Sequence, residues 1–155
     1  MNNNDVLRSL QSILKLSETS MVEIYQLAQH KIDEPTISSY LKTPDEIGYM
    51  ACQNNLISLF LDGLITLRRG PDEKKSSQKK PPLAPLSNNI IFKKLRIAFD
   101  LKEEDFLELM YLASCRITKN EFTSILRKPG NKHYRECSDE LLMGFLAGLA
   151  HRTWN

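Results

Sequence analysis

The sequence has few of the residues on which enzymes and membrane proteins depend. It contains three histidines and three cysteines among 155 residues, with no CxxC pair and no glycine-rich phosphate loop. No apolar run approaches the roughly 20 residues that a membrane-spanning helix requires, and the amino terminus lacks the basic and apolar regions of a signal peptide. These absences predict a cytoplasmic protein that does not enter the membrane and needs no disulfide, metal or cofactor.

What the sequence does contain is an internal repeat with a constant offset of 85 residues. Residues 3–67 align with residues 88–152 without a gap, and 19 of the 65 aligned pairs are identical. Apolar positions and chain-breaking residues are the features that recur, which is typical of a structural repeat. One copy alone is near the lower size limit for a stable core, so we expect the two copies to pack against each other.

Each copy is predicted to form four helices, because apolar residues recur at spacings of three and four and not at the spacing of two that strands show. In the first copy these helices cover roughly residues 5–15, 18–29, 34–42 and 54–67. Asn4 and its counterpart Asn89 are interpreted as N-caps of the first helices. Thr118 with Glu121 forms a capping box before a third helix, and the other predicted caps are Ser17, Asp33 and Ser138. The last helix of the second copy, within residues 138–151, is apolar on nearly all sides and is predicted to be buried.

The predicted organisation is an all-α protein of two tandem four-helix repeats. The first repeat covers residues 1–67, a flexible Lys/Pro/Ser-rich linker covers residues 68–86, and the second repeat covers residues 87–155. Residues 1–67 carry 4 basic and 8 acidic side chains, whereas residues 83–155 carry 11 basic and 9 acidic ones. The first repeat is therefore acidic, and positive charge lies in the linker and the second repeat.

No catalytic centre is predicted, because no nucleophile has a base and an orienting group at a recognisable spacing. Cys52 and Cys137 occupy equivalent positions in apolar surroundings, where a lone cysteine is more often a packing residue than a nucleophile. His133 precedes Cys137 by four residues, but the corresponding residue before Cys52 is Gly48. We therefore expect two buried structural thiols and a protein that is not an enzyme.

The sharpest functional signal is a unit in each copy that is like a helix-turn-helix. A second helix ends at Leu112-Ala113, a turn carries Ile117, and a short third helix begins after the polar residue Thr118. The helix after such a turn enters the major groove in phage-repressor-type regulators, although ordinary packing of short helices gives the same periodicity. Phosphate contacts need clustered cations, and the candidate nucleic-acid-binding residues all lie in the second copy. They are Lys93, Lys94, Arg96, Arg116, Lys119, Arg127, Lys128, Lys132 and Arg135.

Four sequence segments carry a family resemblance. The opening NNDVLRSL, the second-copy start NNIIFKKLRIAFDLK and the paired stretches YMACQNNLISLFLDGL and YRECSDELLMGFLAGL resemble the YehS-like bacterial proteins, known as domain of unknown function 1456. The resemblance covers essentially the whole chain. It implies a soluble bacterial protein with two copies of the domain and no established activity.

Two functions remain open from the sequence. The preferred one is a non-enzymatic binding or regulatory module that contacts nucleic acid through the second copy. The alternative is a protein–protein adaptor that uses the acidic first copy or a groove between the copies. Salt dependence separates them, since binding to phosphates weakens steeply as salt rises.

Overall fold

A computed structural model describes residues 1–71 and 86–154, and the regular structure within these ranges is entirely α-helical. The first repeat contains α1 (Asn3–Leu14), α2 (Glu18–Leu27), α3 (Glu34–Leu41) and α4 (Asn54–Arg69), and the second contains α5 (Asn88–Ala98), α6 (Glu103–Leu112), α7 (Lys119–Leu126) and α8 (Asp139–Leu149). The predicted all-α fold with two repeats is confirmed. The predicted flexibility of the linker concerns residues 72–85, which lie outside the described residues.

Side-chain caps fix where most of the helices begin. The predicted caps of α2, α3, α7 and α8 each accept a hydrogen bond from a backbone N–H three residues further on; they are Ser17, Asp33, Thr118 and Ser138. The predicted caps of α1 and α5 are wrong. Asn2 and Ser87 cap these helices, whereas Asn4 and Asn89 lie inside the first turn and are buried. An asparagine whose amide points into the protein is unable to cap the helix on which it lies.

The two repeats fill equivalent cores with different side chains. In the second repeat four phenylalanine rings pack together with centroid separations of 4.5–6.0 Å, and they are Phe92, Phe106, Phe122 and Phe145. In the first repeat only Phe60 is retained, and its aromatic neighbour is Tyr25 at 5.4 Å. The Tyr25 hydroxyl donates to the carbonyl of Leu56 at 3.0 Å, so this buried polar group is satisfied.

A glycine in each fourth helix lets that helix cross the second helix at backbone contact. A Cβ atom on Gly63 would lie 2.0 Å from the carbonyl oxygen of Ile24, and one on Gly148 would lie 2.5 Å from that of Leu109. Both distances are far inside van der Waals contact, so no other residue fits at this crossing. This close approach explains why the glycine occurs in both copies.

The repeats pack against each other, as the sequence predicted, and the structure shows that α4 and α5 form the main contact. Asp62 of α4 forms an ion pair with Lys94 of α5, and the Arg68 guanidinium donates to the carbonyl of Ala98 at 3.0 Å. The two helices therefore run in the same direction, and the buried side chains of both repeats form one continuous core. Arg68 and Arg69, which the sequence analysis assigned to the linker, form the last turn of α4.

The carboxyl-terminal segment strengthens this contact. The Arg68 guanidinium lies 4.9 Å from the ring centre of Phe99 and 5.7 Å from that of Trp154. The Trp154 indole N–H donates to the carbonyl of Leu149 at 2.7 Å, which holds the ring at the end of α8. Arg68 of the first repeat thus packs against two aromatic rings of the second, an arrangement that favours a cation.

The α8 helix is less buried than its sequence predicted. Its inner side is in the core, but Met143, Ala147 and Ala150 are exposed. The exposed strip faces α1 across an open groove. A uniformly apolar sequence does not reveal which of its sides lacks a neighbour, so this part of the burial prediction is wrong.

Candidate nucleic-acid interface

Six of the nine predicted basic residues form one class in the structure. Their side chains are exposed and have no ion-pair partner among residues 1–71 and 86–154. They are Lys93, Arg116, Lys119, Arg127, Lys128 and Lys132, and we refer to them as the basic surface. Five of them lie on α7 or in the segments immediately before and after it. A cation that is already solvated and unpaired is available to a phosphate.

The other three basic residues have structural roles. Lys94 lies on a different side of α5 from Lys93 and pairs with Asp62 at the repeat contact. Arg96 places its guanidinium 5.5 Å from the ring centre of Phe122, and Arg135 pairs with Glu121 at 2.7 Å. The structure therefore separates Lys94 from the predicted set, and it gives Arg96 and Arg135 contacts that hold α7 in place.

Lys93 joins the basic surface although it lies on a different helix. Residues at i, i+4 and i+7 share one face of a helix, so Lys93 lies between Asn89 and Arg96 on α5. Asn89 contacts the carbonyl of Ile125 and Arg96 contacts Phe122, both on α7. This face of α5 therefore runs along α7, and Lys93 lies beside its carboxyl-terminal half.

A repeated pair of asparagines fixes the segment that carries three of these six cations. The Asn89 amide donates to the carbonyls of Ile125 and Arg135 at 3.0 and 2.7 Å, and its oxygen accepts from the backbone N–H of Cys137 at 2.8 Å. Asn88 donates to the carbonyl of Cys137 at 3.1 Å. These bonds tie both ends of residues 126–137 to the start of α5.

Sequence reasoning missed this role of the asparagines. In the first repeat Asn4 donates to the carbonyls of Tyr40 and Met50 at 2.9 and 2.8 Å and accepts from the N–H of Cys52 at 2.9 Å. Asn3 donates to the carbonyl of Cys52 at 2.9 Å. The Asn-Asn dipeptide is identical in both copies, which could have indicated a shared structural role. A role as helix caps also accounts for the repetition, and that interpretation is the one the sequence favoured.

Two of the three cations on the equivalent surface of the first repeat are engaged, and the third, Lys31 at the position of Arg116, is exposed and has no ion-pair partner among the described residues. Arg8, the counterpart of Lys93, pairs with Asp5 and donates to the carbonyl of Lys42 at 2.8 Å. The Lys42 ammonium in turn donates to the carbonyl of Ile47 at 2.8 Å. Hydrogen bonds from Thr43 lower the pKa of Asp45 and Glu46, so these exposed carboxylates stay ionised. A phosphate would meet net negative charge here.

The connection from α6 to α7 is longer than that of a simple helix-turn-helix. Six residues, 113–118, separate the two helices, whereas three or four are usual. Ser114, and its counterpart Gln29 in the first repeat, adopt the left-handed conformation with φ of 57° and 60°. These residues take the place of the glycine that such turns often carry. Entry of α7 into a DNA groove stays a prediction.

A second surface feature is the groove between α1 and α8, with a volume of about 570 Å³. Most of the side chains that line it are apolar or small, and one is acidic; they are Met1, Asp5, Ser9, Ser12, Ile13, Met143, Leu146, Ala147 and Ala150. The Met1 ammonium lies 3.4 Å from Asp139 at one end, and the bond from Asn88 together with this ammonium lowers the pKa of Asp139. The offset of 85 residues relates this helix pair to α4 and α5. Asp62 of α4 and Lys94 of α5 form an ion pair, and the residues at the equivalent positions are Ala147 of α8 and Ser9 of α1.

Both predicted structural thiols are buried at equivalent positions. Cys52 and Cys137 are 5% and 4% exposed, and burial raises their pKa to about 11 and about 12. A thiol with a raised pKa is a poor nucleophile at neutral pH. No group of three or more potential metal-ligating side chains occurs within the part of the chain that the structure describes.

These features define a class of protein: a tandem all-α repeat protein that has a polar, basic face on one repeat only. No helix within residues 1–71 and 86–154 has the length and apolar character to cross a bilayer. The chain belongs to the family described as protein of unknown function (DUF1456), which matches residues 3–70 and 88–153. It is 40% identical to uncharacterized protein YehS of Escherichia coli (strain K12) over 152 residues, which are 98% of this chain and 96% of YehS. No solved structure gives a significant match.

Proposed function

We propose that this protein is a cytoplasmic, non-enzymatic binding module that contacts nucleic acid through the basic surface of the second repeat. The observation that carries the proposal is a set of six exposed cations without ion-pair partners among the described residues. Release of counterions from phosphates is the main source of sequence-independent affinity for nucleic acid. A cluster of unpaired cations is what that mechanism requires.

The rigidity of the surface supports the same proposal. Three of the six cations, Arg127, Lys128 and Lys132, lie on a segment whose two ends are held by Asn88 and Asn89. Glu121 is the one acidic residue within α7, and it is neutralised by Arg135 and bonded to the backbone N–H of Thr118. Preorganised cations lose little conformational entropy on binding, so each contact contributes more to affinity.

The test is the salt dependence of binding to mixed-sequence duplex DNA. Replacing Lys119, Arg127 and Lys128 with Gln removes up to three phosphate contacts, and the slope of log affinity against log salt should flatten by about 0.9 for each one. The control is Lys42→Gln, which changes the counterpart of Arg127 in the first repeat and should leave the slope unchanged. If the unaltered protein binds neither DNA nor RNA at low salt, the proposal is wrong.

A protein–protein adaptor is the second candidate, and the groove between α1 and α8 favours it. The groove is a concave, largely apolar surface of a size that accepts a side-chain cluster of a partner protein. A partner held there should be retained from a bacterial lysate after nuclease treatment and at high salt. Ala147→Glu would place a charge on the exposed strip of α8 and should abolish this retention, whereas Glu140→Ala should not.

A further inference from the structure

We infer that α7 reads base edges in the major groove of duplex DNA and that Asn120 determines specificity. This inference rests on the proposed function and adds the kind of nucleic acid and the residue that selects its sequence. The outward side of α7 and its end consists of four exposed residues, Lys119, Asn120, Thr123 and Arg127. Beneath them Phe122 and Ile125 are buried and fix the helix to the core.

The dimensions of α7 suit a major groove. Its eight residues give a length of about 12 Å at 1.5 Å per residue, and the major groove of B-DNA is about 12 Å wide. Lys119 at the start of the helix and Arg127 just after it are placed to contact the two phosphate backbones that border the groove. A helix anchored at both ends would present its middle positions to the base pairs.

Asn120 is the side chain on this face with an uncommitted amide. It accepts or donates no hydrogen bond within the described part of the chain, whereas the Thr123 hydroxyl donates to the carbonyl of Lys119 at 3.0 Å. An asparagine amide matches adenine in the major groove, where it donates to N7 and accepts from the N6 amino group. The chemistry of the face therefore predicts a preference for an adenine at one position of the site.

The first repeat shows what an incompatible face contains. At the position of Lys119, α3 has Glu34, whose carboxylate repels phosphates, and at the position of Asn120 it has Pro35, whose side chain forms no hydrogen bond. The N-cap Asp33 adds another exposed charge, and its bonds to Thr36 lower its pKa. α3 and α7 are the equivalent third helices of the two repeats. Of the two, only α7 has a cation near each end together with an amide, that of Asn120, which forms no hydrogen bond within the described residues.

The experiment is selection of the full-length protein on a random duplex DNA library, followed by affinity measurements on the selected and a scrambled duplex. We expect a motif with a preferred adenine. Asn120→Ala should lower the ratio of selected to scrambled affinity by roughly 5- to 150-fold, the range for one bidentate base contact. It should leave affinity for the scrambled duplex unchanged. Asn55→Ala, which alters an exposed asparagine of α4, should change neither value.

The outcomes separate the two proposals. Salt-dependent binding of duplex DNA with no selected motif, a ratio that Asn120→Ala leaves unchanged, or a preference for single-stranded DNA or RNA would each overturn the inference and leave the proposed function standing. Absence of nucleic-acid binding at low salt would overturn both. Alanine has a higher helix propensity than asparagine, so loss of folding is not expected in the variant.

Discussion

Lys93 of α5 and Arg8 of α1 occupy equivalent positions in the two repeats, yet only Arg8 has a carboxylate one turn away. The residue that corresponds to Asp5 in the second repeat is Ile90. With isoleucine in place of the aspartate, the cation of the second repeat has no ion-pair partner on its own helix and is exposed. The comparison teaches that a duplicated scaffold can keep its interior contacts while its two surfaces acquire opposite charge.

The contacts between the repeats show the same divergence. The pair α4 and α5 is closed by an ion pair, by Arg68 and by the rings of Phe99 and Trp154. The related pair α1 and α8 carries serine and alanine at the equivalent positions and stays open as a groove. The repeats therefore pair asymmetrically, although each contributes a first and a fourth helix.

The largest expected effect compares the two cores. Phe145→Ala should reduce the free energy of unfolding by about 5 kcal/mol, and Phe60→Ala by about 3 kcal/mol. Large-to-small changes cost about 3–5 kcal/mol, and Phe145→Ala removes two ring contacts where Phe60→Ala removes one. Phe145 lies 4.9 and 5.2 Å from the rings of Phe92 and Phe106, whereas Phe60 has one aromatic neighbour among the described residues, Tyr25. Chemical denaturation measures both values. A larger loss for Phe60→Ala would show that the aromatic cluster adds nothing.

The next comparison concerns the buried asparagines. Asn89→Ala and Asn4→Ala each leave one backbone N–H and two carbonyls without their partner, which should cost about 3 kcal/mol given about 1–3 kcal/mol for each unsatisfied buried group. The two variants should be equally destabilised, but only Asn89→Ala should also weaken nucleic-acid binding, because it releases the segment that carries Arg127, Lys128 and Lys132. Denaturation and binding assays at one temperature measure both effects. If the two variants bind nucleic acid equally well, the hydrogen bonds of Asn89 do not position the nucleic-acid-binding residues.

The smallest expected effect compares the two thiols. An ordinary thiol has a pKa near 9, whereas the folded values are about 11 for Cys52 and about 12 for Cys137. The folded state therefore holds these protons more tightly than the unfolded state does. The resulting stability is complete below about pH 9 and is lost as the pH rises towards 11 or 12.

We expect Cys137→Ala to reduce the alkaline loss of stability more than Cys52→Ala does, as measured by urea midpoints from pH 8 to pH 11. Titration of lysines and tyrosines is common to all variants and serves as the baseline. At neutral pH a thiol reagent should modify the half-buried Cys115 before either buried cysteine, which mass spectrometry resolves. Rapid modification of Cys52 and Cys137 would contradict their burial.

Several elements could be predicted from the sequence because their causes are local. Capping residues such as Thr118 and Asp33 act within one turn, and the helical spacing of apolar residues selects the buried face without reference to other segments. The burial of Cys52 and Cys137 was also predicted, because both the residue type and the repeat indicated it. These features depend on a few consecutive residues and are visible in them.

Other parts of the candidate site could not be predicted, because their causes lie in distant segments. Lys94, Arg96 and Arg135 were grouped with the other basic residues by charge, but Asp62, Phe122 and Glu121 engage them through tertiary contacts. The same holds for the exposed strip of α8, whose missing neighbour is a property of how the repeats pair.

The sequence by itself determined that this chain forms two related four-helix units, which helices are apolar and which repeat carries the positive charge. These properties follow from residue type and from spacing along the chain. The tertiary structure decided which cations are unpaired, that Asn4 and Asn89 are internal anchors, and that α1 and α8 leave a groove where α4 and α5 close. The physical reason is that burial, ion pairing and hydrogen bonding depend on the distance between atoms, and residues 36–48 positions apart, as in the bonds of the two asparagines, come together only when the chain folds.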